Sequence, residues 1–118
     1  MINEIILMII LTGGGDAPVD ASLIEVDSVT ECEERAGRAK AVFPQAGITY
    51  ISHHCVTSSA EFEYFPHNAE PTGTKYYYDL TFNDDNTALT GTKAYPSMAA
   101  CNEAAKGTCA LTYQKRIK

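Results

Sequence analysis

The chain has 118 residues and a formal net charge of −6, which is room for one small domain. That charge excludes the basic stripe that neutralises phosphates, so no nucleic-acid partner is expected. The length excludes a two-domain enzyme with a cofactor cleft between its domains, and no cofactor is expected. Ile, Leu, Val and Phe supply about one-fifth of the residues, close to the composition of poorly globular chains. A core of that size needs covalent help.

Near the amino terminus, Ile5–Leu11 is an unbroken apolar run. It is far shorter than the roughly 20 residues of a membrane helix, so no span is expected in the mature chain. The run fits the hydrophobic segment of an export signal, and Val19-Asp20-Ala21 before Ser22 offers the small residues of a cleavage site. Residues 1–21 therefore read as a signal peptide and 22–118 as the domain. Met1–Glu4 lacks the Lys or Arg that normally opens such a signal. The alternative is a cytosolic inhibitor or assembly subunit in which residues 5–11 form a buried strand. Gly13-Gly14-Gly15-Asp16 gives a second alternative, a small phosphate-binding enzyme. An apolar strand ending in glycines lets backbone N–H groups approach a phosphate.

After Leu23–Asp27, a short strand with Ile24 and Val26 inward, Ser28-Val29-Thr30-Glu31 reads as a helix start with a capping box. Val29, Cys32, Ala36, Ala39 and Phe43 then recur at helical spacing. Glu31–Arg35 and Glu34–Arg38 are favourable i,i+4 pairs on the solvated face. Ile48–Thr57, rich in β-branched residues, and Glu61–Tyr64 read as strands. Lys75–Asn83 alternates with Tyr76, Tyr78, Leu80 and Phe82 on one face and Tyr77, Asp79 and Thr81 on the other. The turn Asn83–Asn86 returns the chain into Thr87–Lys93. A second helix is capped by Ser97 and stopped by Lys106-Gly107, and Cys109–Tyr113 is the last strand. The order β-α-β-β-β-β-α-β gives an α+β class, ferredoxin-like in outline with both helices on one face.

Cys32, Cys55, Cys101 and Cys109 are even in number and never spaced C-x-x-C, so they read as two disulfides of a secreted or periplasmic protein. Ser28–Ala36 and Ser97–Ala105 resemble each other, each placing a cysteine in the first turn of a helix. Pairing each helix with its following strand gives Cys32–Cys55 and Cys101–Cys109; the cross-paired alternative is Cys32–Cys101 with Cys55–Cys109.

His53 and His54 are adjacent in a strand and so face opposite ways, which argues against joint chelation, and no metal is assigned. The Asx-rich group Asp79, Asn83, Asp84, Asp85 and Asn86 lacks the ligand spacing of a calcium loop. With seven tyrosines and no tryptophan, exposed aromatic residues are the candidate contacts: Tyr77, Tyr64, His53 and His54. No catalytic set emerges. The functional expectation is an exported, non-enzymatic binding or accessory domain with a protein partner.

Overall fold

The structure, a computed structural model, describes residues 4–13, 18–63 and 74–117. Six strands and two helices make an α+β fold: β1 (Ile5–Gly13), β2 (Val19–Val26), α1 (Val29–Val42), a 3₁₀ turn (Phe43–Ala46), β3 (Tyr50–Ser58), β4 (Tyr76–Phe82), β5 (Leu89–Tyr95), α2 (Met98–Ala104) and β6 (Thr108–Thr112). The sheet order is β3-β1-β2-β6-β4-β5, antiparallel except for the parallel β2–β6 pair. This mixed sheet curls into a half-barrel. Its two edge strands approach each other at a bridge between Thr57 and Ala88, where the Thr57 N–H donates to the Thr87 carbonyl at 2.9 Å. A ferredoxin-like arrangement is not confirmed by this order.

The apolar run at the amino terminus is β1, hydrogen-bonded to β2 on one side and β3 on the other. Its unbroken hydrophobicity has a simple cause, since both of its faces are covered. Leu7, Ile9 and Leu11 point into the half-barrel with Leu23, Val56, Tyr78, Leu80 and Ala110. Met8 and Ile10 point outward and pack with Val26, Cys32 and Ala36 under α1. Tyr76, Tyr78, Leu80 and Phe82 share the inner face, as their alternation predicts. The segment Glu61–Glu63 contributes only a single bridge, Phe62 to Arg116, and not the expected strand.

Both helices sit outside the half-barrel. The Ser28 hydroxyl caps α1 by accepting the Glu31 N–H at 3.0 Å, and the Glu31 carboxylate accepts from Asp27 N–H at 3.0 Å, one residue earlier than a standard capping box. Ser97 caps α2 in the same way through the Ala100 N–H at 3.0 Å. The Glu31–Arg35 ion pair forms at 3.6 Å. Val29, expected on the buried stripe, is exposed, because the stripe meets the sheet only from Cys32 onward. Disulfides Cys32–Cys55 and Cys101–Cys109 fasten α1 to β3 and α2 to β6, with Cα–Cα distances of 5.8 and 6.0 Å. No helix among the described residues is long and apolar enough to cross a membrane.

Candidate functional site

β3 is an edge strand, and its irregularity builds a cluster of Tyr50, His53, Glu33 and the Cys32–Cys55 disulfide. The β1–β3 register shifts between Leu11 and Thr12, so that Ser52 faces Leu11 while Tyr50 faces Thr12 and Ile51 bulges between them. In a regular strand, residues three apart point to opposite faces. The bulge cancels that rule and turns Tyr50 to the α1 side, the side of His53 and Cys55. There Tyr50 packs against the Met8–Ile10–Cys32 cluster.

The Tyr50 hydroxyl is hydrogen-bonded to His53 Nδ1, and His53 Nε2 lies 3.3 Å from a carboxylate oxygen of Glu33, the helix neighbour of Cys32. Burial, with the Glu33 charge second, pushes the Tyr50 ionisation above the ordinary phenol range. The hydroxyl stays protonated, and the ring of His53 bridges it to the Glu33 carboxylate. Both ring nitrogens are engaged, so the trio ties β3 to α1. A ligand atom from each of Glu33, His53 and Cys55 lies within 4.8 Å of the others. With Cys55 bonded to Cys32, however, its sulfur is no thiolate.

His54 faces the other way, as alternation requires. Its ring stacks on Phe82 with centroids 4.3 Å apart, and its Nδ1 lies 2.8 Å from the side-chain oxygen of Asn86, a residue in the left-handed conformation at φ 58°. It thus ties β3 to the β4–β5 turn. In that turn Asn83 accepts the Thr87 and Ala88 N–H groups at 2.8 and 3.0 Å, so its oxygen is spent on the turn itself. Asp79 is buried and accepts the Lys106 and Gly107 N–H groups, each at 2.9 Å, closing the end of α2.

Among the described residues, the expected contacts His53, His54 and Tyr77 are not gathered into one surface. His53 and His54 share β3 but occupy opposite faces. Tyr77 lies on the outer face of β4, opposite Tyr95 and Leu111 and four places from β3 in the sheet order. Tyr64 lies outside the described residues, as do Gly14, Gly15 and Asp16 of the glycine loop. Gly13 ends β1 with φ 93° and donates its N–H to the Thr49 carbonyl at 2.9 Å.

Exposed apolar residues stand beside the bulge, and none of them was a candidate from the sequence. Val42, Ile48 and Ile51 are 55%, 40% and 44% exposed, and all fall in the stretch from the end of α1 to the start of β3. A cleft of about 510 Å³ lined by Lys40, Pro44, Gly47, Ile48, Thr49 and Tyr50 lies in the same stretch. Ile48 and Ile51 are three apart, a spacing that a regular two-residue period cannot place on one face. No family model matches the chain, and no curated protein or solved structure matches it.

Proposed function

We propose that this is a non-enzymatic, disulfide-stabilised binding domain of an oxidising compartment, secreted or periplasmic. It takes up an extended segment of a protein partner along β3. The observation that carries this reading is an edge strand opening beside exposed Ile48 and Ile51. An edge strand offers backbone groups to an added strand, while neighbouring apolar side chains supply the area that makes the addition stable. The Thr57 N–H, bonded to Thr87, marks the side of β3 away from β1, and alternation directs the backbone groups of His53 and Cys55 to that side, before the bridge to Ala88. Among the described residues, His53 is the expected contact that belongs to this surface.

The two disulfides support the compartment. Burial of β1 on both faces supports a mature domain that keeps its first strand, because cleavage after Ala21 would remove the strand joining β2 to β3.

The test is capture by the immobilised full chain, disulfides intact, from the fraction of its producing cells that contains disulfide-bonded proteins. A partner held by the wild type and by Tyr77→Ala but released by Ile51→Lys and Ile48→Lys supports the reading. A partner held equally by Ile51→Lys, or none held at all, contradicts it.

A further inference from the structure

We propose that a zinc ion is an alternative to the Cys32–Cys55 disulfide: once that bond is reduced, Cys32, Cys55, His53 and Glu33 form a four-ligand Zn²⁺ centre between α1 and β3. The two thiols stand on Cα atoms 5.8 Å apart. One ring nitrogen of His53 and one carboxylate oxygen of Glu33 already lie within 4.8 Å of the Cys55 sulfur and of each other. Ligand atoms around one tetrahedral zinc are about 3.3–3.8 Å apart, given bond lengths of about 2.0–2.3 Å. The Cys32 sulfur, now bonded to Cys55, lies outside that group of three, so the proposal requires side-chain rotation to bring it and the other three ligands to one centre once the bond is broken. Two thiolates, an imidazole and a carboxylate make a complete zinc set, and thiolate donors disfavour calcium and magnesium.

The surroundings suit the ion as well. His53 Nε2 and the Glu33 oxygen lie 3.3 Å apart, and that is where the metal enters. With Nε2 on the metal, the ring proton resides on Nδ1 and is donated to the Tyr50 hydroxyl oxygen, which already touches it. A ligating histidine is usually oriented by such a partner on its other nitrogen. The buried side of the site is closed by Met8, Ile10 and Ala36.

The chemistry balances with a dithiol as reductant. Its two thiols become a disulfide while the Cys32–Cys55 bond becomes two thiols. Each of these thiols then releases a proton as its sulfur binds Zn²⁺.

The full chain is reduced without oxygen by a phosphine, which is converted to its oxide with oxygen from water and does not compete for metal. It is then titrated with Co²⁺ and, by displacement, Zn²⁺. The proposal expects one ion per chain, with the visible and sulfur charge-transfer absorption of tetrahedral cobalt, and no binding by the oxidised protein. His53→Ala and Glu33→Ala should each weaken binding by more than the roughly tenfold expected for Tyr50→Phe, which removes only the partner behind His53. Cys101→Ser/Cys109→Ser should bind as the wild type does, whereas Cys32→Ser/Cys55→Ser should not bind. If the reduced chain loses its fold, zinc should restore its circular dichroism. Metal bound by Cys32→Ser/Cys55→Ser, full affinity in His53→Ala, or no binding by the reduced wild type would overturn the proposal.

Discussion

Gln114 fills with its side chain the place where a backbone partner of Leu23 would sit. Asp20 stands opposite Leu111 in the parallel β2–β6 pair, and the same offset of 91 residues puts Gln114 opposite Leu23 after β6 has ended. There the Gln114 amide oxygen accepts the Leu23 N–H at 2.8 Å, and its amide nitrogen donates to the Leu23 and Glu63 carbonyls. The side chain is fully buried. One amide thus extends a short parallel ladder and joins the segment at Glu63 to it.

Gln114→Leu keeps the volume but leaves both backbone groups of Leu23 without that partner. Each unsatisfied buried group costs about 1–3 kcal/mol, so a loss of about 3–5 kcal/mol is expected from urea unfolding. Gln114→Glu retains the acceptor but loses the donor and buries a carboxylate. Its deficit should be larger at neutral pH than near pH 4, where the carboxyl takes up a proton.

Asp79 performs a similar service at α2, one carboxylate oxygen for each N–H of Lys106 and Gly107. Asp79→Asn keeps one acceptor and sets an N–H₂ against the other donor, so about 2 kcal/mol should be lost in the same assay. Gly107→Ala should cost at least as much, because a Cβ there would overlap the Leu80 carbonyl oxygen, part of a buried strand that cannot yield.

The disulfides should differ in worth. Cys32–Cys55 closes a separation of 23 residues and Cys101–Cys109 one of 8. Loop entropy assigns them about 3.4 and about 2.5 kcal/mol. Cys32→Ser/Cys55→Ser should therefore melt below Cys101→Ser/Cys109→Ser in calorimetry; the reverse order would show that the α2–β6 link contributes more than its loop closure.

Tyr78 gives the domain an alkaline limit. Burial raises its ionisation above the ordinary phenol value, partly offset by the Arg116 N–H, which donates to its hydroxyl at 3.0 Å. The unfolded phenol loses its proton from about pH 10, while the folded one holds it longer. The native state then binds more protons than the unfolded state, and stability falls as pH rises above that value. Tyr50, raised for the same first cause, adds to the slope. Urea midpoints measured between about pH 9 and 11 should decline, and less steeply in Tyr78→Phe.

Much of the local structure was legible because it rests on local chemistry. Ser28 and Ser97 mark their helices through side-chain caps, the Tyr76–Phe82 alternation marks its inner face, and each cysteine pair joins a helix to the strand that follows it. What was not legible was set by distant partners. Ile5–Leu11 carries no period because both of its faces are buried, and an unbroken apolar run looks the same in an export signal. The half-barrel depends on the Thr57–Ala88 approach and on Gln114 matching Leu23, neither of which leaves a pattern in the chain. At the candidate site His53 was visible. Its partners Tyr50 and Glu33 were not, because one arrives through a bulge and the other from a helix twenty residues earlier.

The proposed oxidised domain, built around β1, is tested by the intact mass of the native product alkylated before and after reduction. The expected result is a chain that still contains Ile5–Gly13, with no cysteine alkylated before reduction and all four alkylated afterward. A folded product beginning at Ser22, or thiols that alkylate without reduction, would contradict it.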